Sequence, residues 1–344
     1  MRMPPRWTRR LLLWPLPVIA VLIVLATVPL LALVALVLSF RLPGKLRLLR
    51  SLGLLIVYLL LEATTMVLGL GLWIASGFGW KLRSPGFVAI HYRLLRWVVA
   101  VLIGAGKRLF SLSLETDGTP VPDDDGNGRR VPLIVMSRHA GPADSILLIH
   151  EVLSWQGRRP RIVSRAAIQF DPACDLLLNR LPNRFISSNP EHPDATTEAI
   201  AELAGSMGDD DAFVIFPEGG NFTPARRQRA IDRLSASGHD EAAARAREMH
   251  NVMPPRPRGV AAALRACPRA DAVFVAHTGL DTIATIADLW DCIPIHKVVQ
   301  MNWHVVEAST VPRDDDGIND MLYQAWEAID TWIIDQSDDA VAAS

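Results

Sequence analysis

The chain has 344 residues, half of them hydrophobic, and a mean hydropathy of +0.22, which is high for a soluble enzyme. Its net charge of −1 conceals an asymmetry: of 35 basic and 36 acidic residues, 14 basic and only one acidic, Glu62, fall within residues 1–110. A basic, apolar first third suits anionic lipid, while the acidic remainder excludes a general nucleic-acid binder. Cys174, Cys267 and Cys292 are scattered without a CxxC pair, which excludes a disulfide framework or a cysteine zinc site and fits a reducing compartment.

Arg2, Arg6, Arg9 and Arg10 precede an uncharged run from Leu11 to Phe40. About 20 apolar residues cross a bilayer core, so the run is long enough to span and too long for a signal-peptide core. Pro15, Pro17 and Pro29 are expected to kink it or let it dip. Arg41, Lys45, Arg47 and Arg50 flank Pro43-Gly44 in a basic connector, and a second apolar run, Leu52 to Ser76, is interrupted only by Glu62. The pattern predicts a two-helix membrane hairpin within residues 1–84, with the Glu62 carboxylate turned toward the partner helix. A true hairpin returns the chain to the side where it began; a dipping one keeps the connector on that side too. Residues 85–110 place Trp97, Arg93 and Arg96 among leucines and valines and read as an interfacial amphipathic helix, with a core-facing helix as the alternative. Asp123, Asp124 and Asp125 sit among glycines in a solvated turn rather than at a metal.

From there short β-branched runs alternate with helical ones, which predicts an α/β domain with a largely parallel sheet over 85–344. Strands are expected at 112–114, 131–136, 161–164, 185–187, 212–216, 272–276 and 298–306. Helices are expected at 144–155, 171–181, 194–207 and 260–266, with a charged helical insertion at 224–250 and a closing helix at 318–336.

Two stretches carry chemistry. Ser137-Arg138-His139-Ala140-Gly141-Pro142-Ala143-Asp144 leaves the end of an apolar run and has the composition of a tight strand-to-helix turn. It offers His139 as a general base and Asp144 as the residue that orients it, although Asp144 is equally suited to capping the helix that follows. Phe216-Pro217-Glu218-Gly219-Gly220-Asn221 ends a buried strand where open α/β sheets place ligands, and paired glycines let backbone N–H groups approach a phosphate or oxyanion. No GxSxG serine is present, which favours direct transfer over an acyl-enzyme.

HAGPAD resembles the His-x4-Asp block of the glycerophospholipid acyltransferases, the lysophosphatidic acid acyltransferase family, and FPEGGNFTP resembles that family's FPEG block, in the same order. Residues 253–260, MPPRPRGV, are similar to a proline-basic-glycine block in the branch with a long insertion, and Phe185-Ile186 stands where the family has its middle block. The resemblance implies a glycerolipid acyltransferase-type α/β fold, with acyl-CoA or acyl carrier protein as co-substrate and no cofactor or metal. It implies transfer to the hydroxyl of a lysophospholipid such as 1-acylglycerol-3-phosphate, on a cell membrane with the catalytic domain facing the cytoplasm. By the same resemblance His139 deprotonates the acceptor, Asp144 orients it, and Glu218, Gly219, Gly220 and Asn221 bind the acceptor. The chain departs from the family at Ser187-Ser188, where the middle block has an acid and an arginine, and at Asn221, where an arginine is usual. Arg184, Arg226, Arg227, Arg256 and Arg258 are therefore candidate phosphate donors. The rival readings are a lipid hydrolase or thioesterase using the same histidine on water, and a catalytically silent membrane scaffold.

Overall fold

Backbone polar groups in an apolar setting need internal partners, and a long uncharged run meets that need by coiling. The computed structural model describes residues 3–42, 44, 46–118, 130–141, 143–186, 193–280, 283 and 286–342; the Asp123–Asp125 turn, Pro142 and Ser187-Ser188 lie outside them. The first third forms α1 (Arg6–Leu13), α2 (Pro15–Ser39), α3 (Arg47–Ala75) and α4 (Pro85–Phe110). Pro15 opens α2 at its first position, where no N–H is needed, and Pro29 is carried inside the helix. Where the sequence suggests a two-helix hairpin, three helical stretches are long and apolar enough to cross a membrane: Arg6–Ser39, Arg47–Ala75 and Pro85–Phe110. The third is the stretch expected to be interfacial.

After α4 come β1 (Ser113–Gly118), β2 (Leu133–Ser137), α5 (Asp144–Ser154), β3 (Arg159–Arg165), a 3-10 turn (Ala166–Phe170), α6 (Pro172–Arg180) and β4 (Arg184–Ile186). Then follow α7 (Pro193–Gly205), β5 (Asp211–Ile215), α8 (Pro224–Ala236), α9 (Asp240–Glu248), α10 (Pro257–Ala266), β6 (Asp271–Thr278), α11 (Ile286–Cys292), β7 (Val298–Val306) and α12 (Asp315–Ala342). The charged insertion is two helices rather than one, broken at Ser237–His239, where Gly238 has φ +75°.

The chain divides into two compact units. One comprises residues 1–113, 164–189 and 290–297, so it takes in more of the chain than the apolar runs alone. Within it Met66, Leu94, Ala173, Leu176 and Leu177 form a small core. Glu62 accepts a hydrogen bond from the Ala173 N–H at 3.1 Å, so its partner is α6 rather than the neighbouring long helix.

The other unit, 114–163, 190–289 and 298–344, holds the main sheet. Its strands order as β1-β7-β6-β2-β5-β3. β2 runs parallel to both β5 and β6, β3 parallel to β5, and β7 antiparallel to β6. Register pairs Ile134 with Phe213 and Met136 with Phe274. Every residue of β2 is buried, which explains why VPLIVMS reads as a continuous apolar run and not as an alternation. The core combines Ile134, Met136, Phe213 and Phe274 from the strands with Leu203, Leu264, Leu322 and Trp326 from the helices. Phe213→Ala is expected to cost ~3–5 kcal/mol of stability, read as a lowered denaturant midpoint of the detergent-purified protein.

Candidate active site

Strand order decides which loops meet. β2 lies between β5 and β6, and the three are parallel, so the residues that follow β2 and β5 open at one edge beside the end of β6. That edge brings together His139 and Asp144 after β2, Glu218 after β5, and His277 on β6.

Asp144 is 2 % exposed and is the first residue of α5. Its Oδ2 accepts the backbone N–H groups of Ala140 at 2.5 Å and Gly141 at 2.6 Å. The carboxylate therefore binds the loop in front of the helix, and no side chain caps α5. The same oxygen stands 3.5 Å from His139 Nδ1 and 3.7 Å from His277 Nε2, while Oδ1 has no hydrogen-bond partner. Burial alone would raise the Asp144 pKa, but the His277 charge, the His139 side chain and the Gly141 N–H outweigh it and hold the carboxyl below its usual range.

The His139 ring is partly exposed and stacks on Phe216 of the second motif, centroids 4.4 Å apart and planes at 26°. Its carbonyl accepts the Phe222 N–H at 2.6 Å, which pins the two motif loops together. His139 Nδ1 is buried and, like Asp144 Oδ1, makes no hydrogen bond at this geometry.

Beneath the histidine sits Glu218, fully buried. Its Oε2 lies 3.4 Å from the His139 N–H and its Oε1 accepts Trp326 Nε1–H at 3.2 Å. Burial pushes this carboxyl from 4.5 up to about 8, against the opposing pull of Arg138, Trp326 and the His139 and Met253 N–H groups. The sequence suggests that Glu218 contacts the acceptor; the structure instead encloses its side chain as a strut between His139 and α12. Arg138, 1 % exposed, donates to the carbonyls of His277 at 2.7 Å and Asn251 at 3.1 Å, and His277 Nε2 returns a bond to the Arg138 carbonyl at 3.2 Å.

The exposed rim is built by Gly219, Gly220 and Asn221. Gly219 has φ +71°, a left-handed conformation that costs other residues ~1–2 kcal/mol, and a Cβ there would meet Arg256 Nη1 at 3.0 Å. Arg226 Nη1 donates to the Asn221 carbonyl at 3.2 Å. Arg226 and Arg256 are thus brought to the glycine loop. The other candidate arginines are occupied elsewhere. Arg227 donates to the carbonyls of Ala246, Arg247 and Met249 at the end of α9. Arg258 pairs with Asp194 on the surface, and Arg184 belongs to β4 in the unit of apolar helices.

Sequence reasoning missed His277, Arg138 and Trp326. His277 is a lone histidine ending a strand, and Trp326 lies 108 residues beyond Glu218, so neither carries a local signal. Among the described residues, no group of three His, Cys, Asp or Glu is arranged to hold a metal ion.

A histidine–carboxylate pair at the carboxyl edge of a mostly parallel α/β sheet defines the site. Residues 121–255, which contain both motifs, match the family model described as Acyltransferase, so this stretch is an acyltransferase domain. No curated protein and no solved structure matches the chain.

The raised Glu218 pKa has a definite sign. The folded protein keeps this proton up to about pH 8 while the unfolded chain releases it near 4.5. Its contribution is therefore fully present below about pH 4.5 and is lost as pH rises through about 8. Glu218→Gln, neutral at all pH, is expected to flatten the fall in Tm over that window, measured by thermal scans at matched ionic strength.

Proposed function

We propose that the protein moves a fatty acyl chain from an acyl thioester, acyl-CoA or acyl carrier protein, to the hydroxyl of a membrane lysophospholipid such as 1-acylglycerol-3-phosphate. The observation that carries the reading is the 3.5 Å approach of His139 Nδ1 to a buried, ionised Asp144 that two backbone N–H groups already hold in place. An Nδ1–H directed at Asp144 leaves Nε2 as the base. It takes the hydroxyl proton as the oxygen attacks the thioester carbonyl, and Asp144 stabilises the imidazolium that forms. The proton then passes to the departing thiolate.

The acceptor headgroup falls to the Gly219–Asn221 loop with Arg226 and Arg256. Among the described residues no carboxylate pairs with either guanidinium, which leaves two cations beside a glycine loop for a phosphate. The enzyme works at a membrane, held there by its apolar helices, with the catalytic unit on the cytoplasmic side.

His139→Ala is expected to lower kcat for acyl transfer by ~10²–10⁴-fold with an unchanged Tm. Asp144→Asn should lose most of the activity. Near wild-type acylation by His139→Ala would overturn the mechanism, and free fatty acid without acylated lipid would reassign the site to hydrolysis. Arg226→Ala combined with Arg256→Ala should raise the acceptor KM by roughly tenfold or more while leaving kcat close to wild type. Steady-state kinetics with a phosphate-bearing acceptor and with its dephosphorylated analogue check this, because only the first should respond.

A further inference from the structure

Asp144 serves one imidazole in the proposed reaction, and the structure gives it two. β2 and β6 run parallel with Ser137 level with Val275, and two residues further along each path stand His139 and His277. Ser137 Oγ reaches the Val275 carbonyl at 3.3 Å. Beyond it, the Arg138 side chain binds the His277 carbonyl and the His277 ring binds the Arg138 carbonyl, so the pairing continues past the end of β2. The chain after β6 closes in as well, since a Cβ on Gly141 would stand 2.6 Å from the Ile283 carbonyl. The His277 ring, 3 % exposed, is thereby fixed against Asp144.

Its neighbours place its proton. Nε2 lies 3.2 Å from the Arg138 carbonyl and 3.7 Å from Asp144 Oδ2, and with Asp144 ionised both oxygens can only accept. Nε2 therefore carries a hydrogen, and the ring changes charge only at Nδ1. His139 Nδ1 faces the same Oδ2 from 3.5 Å, while Oδ1 has no hydrogen-bond partner. Both rings thus draw on one oxygen. What His277 takes of its negative charge no longer stabilises a His139 imidazolium.

The surrounding charges have other duties. The Arg138 guanidinium sits on the His277 carbonyl and attracts the buried Glu218. Across β7, the residues in register with Ala276, His277 and Thr278 are Asn302, Met301 and Gln300, all uncharged. α12 contributes Trp326, which donates to Glu218, and Asp330, which accepts the His250 and Asn251 N–H groups. At the rim, Arg226 and Arg256 lie over the glycine loop. The carboxylate that meets the His277 ring is Asp144.

We propose that His277 is a positioning residue for the proton transfer: its Nε2–H, held on the Arg138 carbonyl, engages part of the Asp144 charge and restrains how strongly that carboxylate favours the His139 imidazolium. His139 then stays unprotonated, and able to take the acceptor proton, at lower pH than an isolated pair would allow. As a statement about catalysis this deepens the acyl-transfer reading and rests on it; the coupling between the two rings does not.

Two uncharged variants that place an N–H differently decide the matter. A glutamine amide reaches the position of imidazole Nε2 and an asparagine amide that of Nδ1, so His277→Gln keeps the donor on Asp144 and His277→Asn withdraws it. Diethyl pyrocarbonate modifies the unprotonated imidazole, so the pH midpoint of His139 modification, resolved by peptide mass spectrometry, follows its protonation in the detergent-purified full-length chain. His277→Asn is expected to raise that midpoint by roughly one unit, with His277→Gln remaining nearer wild type. The acid limb of kcat/KM for acyl transfer should move with it, which a loss of packing alone would not produce. An unchanged or lowered midpoint in His277→Asn would overturn the proposal. So would an equal rise in both variants, which would trace the effect to ring charge. Added to Asp144→Asn, His277→Asn should cause no further shift; a further shift would show a route that bypasses Asp144 and would also overturn it. The wild-type chain supplies a test that needs no variant: residue-assigned 15N NMR should find His277 Nε2 protonated from about pH 5 to 8, and a bare Nε2 overturns the proposal. Absence of acyl transfer by the wild-type enzyme would remove the functional reading, while the midpoints still decide the coupling.

Discussion

An ionised carboxylate taken out of water must be met by N–H groups, and the Asp144 side chain meets this demand by drawing the Ala140 and Gly141 N–H groups onto one oxygen. That requirement curls the loop after β2 back on the first turn of α5. Once the loop is closed, His139 has little freedom in where it places its ring. The Phe216 face below it and the Phe222 N–H on its carbonyl remove most of what remains. The same carboxylate also faces His277 on β6, so two neighbouring strands converge on one charge.

Glu218 supports this arrangement from inside. Its carboxyl joins the backbone of His139 to the indole of Trp326, linking the loop after β2, the second motif and the closing helix. A glutamate in a glycine-rich loop reads from sequence as a group waiting for a ligand, yet burial gives it a different task. The glycines beside it remain at the rim, where Arg226 and Arg256 lie over them. Enclosed strut and exposed loop thus occupy successive residues of one motif, which is why FPEGG tolerates no simple division into structural and binding positions.

The N-terminal third shows how composition and contact differ as evidence. Thirty uncharged residues in a row fix an apolar environment, because burying them elsewhere would need a larger core than this chain has. Composition says nothing about the direction in which a helix lies in that environment. What packs beside the helices is set by a few charged side chains, Arg9, Arg47 and Arg180, and by the segments they hold. Glu62 illustrates the point: its partner is the backbone of α6, more than a hundred residues away, and no local pattern announces it.

The alternation of short apolar runs with helical ones determined the α/β class and nearly every element, because the burial of a strand or a helix face is written in consecutive residues. The pairing of HAGPAD with FPEGG likewise identified His139 and Asp144 as neighbours, since each sits at the end of a buried parallel strand. Only the tertiary structure decided which arginines stand at the glycine loop, that Glu218 is enclosed, and that His277, Arg138 and Trp326 surround the pair. Those facts depend on strand order and on contacts between residues far apart in the chain, and such contacts leave no periodic trace in a single sequence.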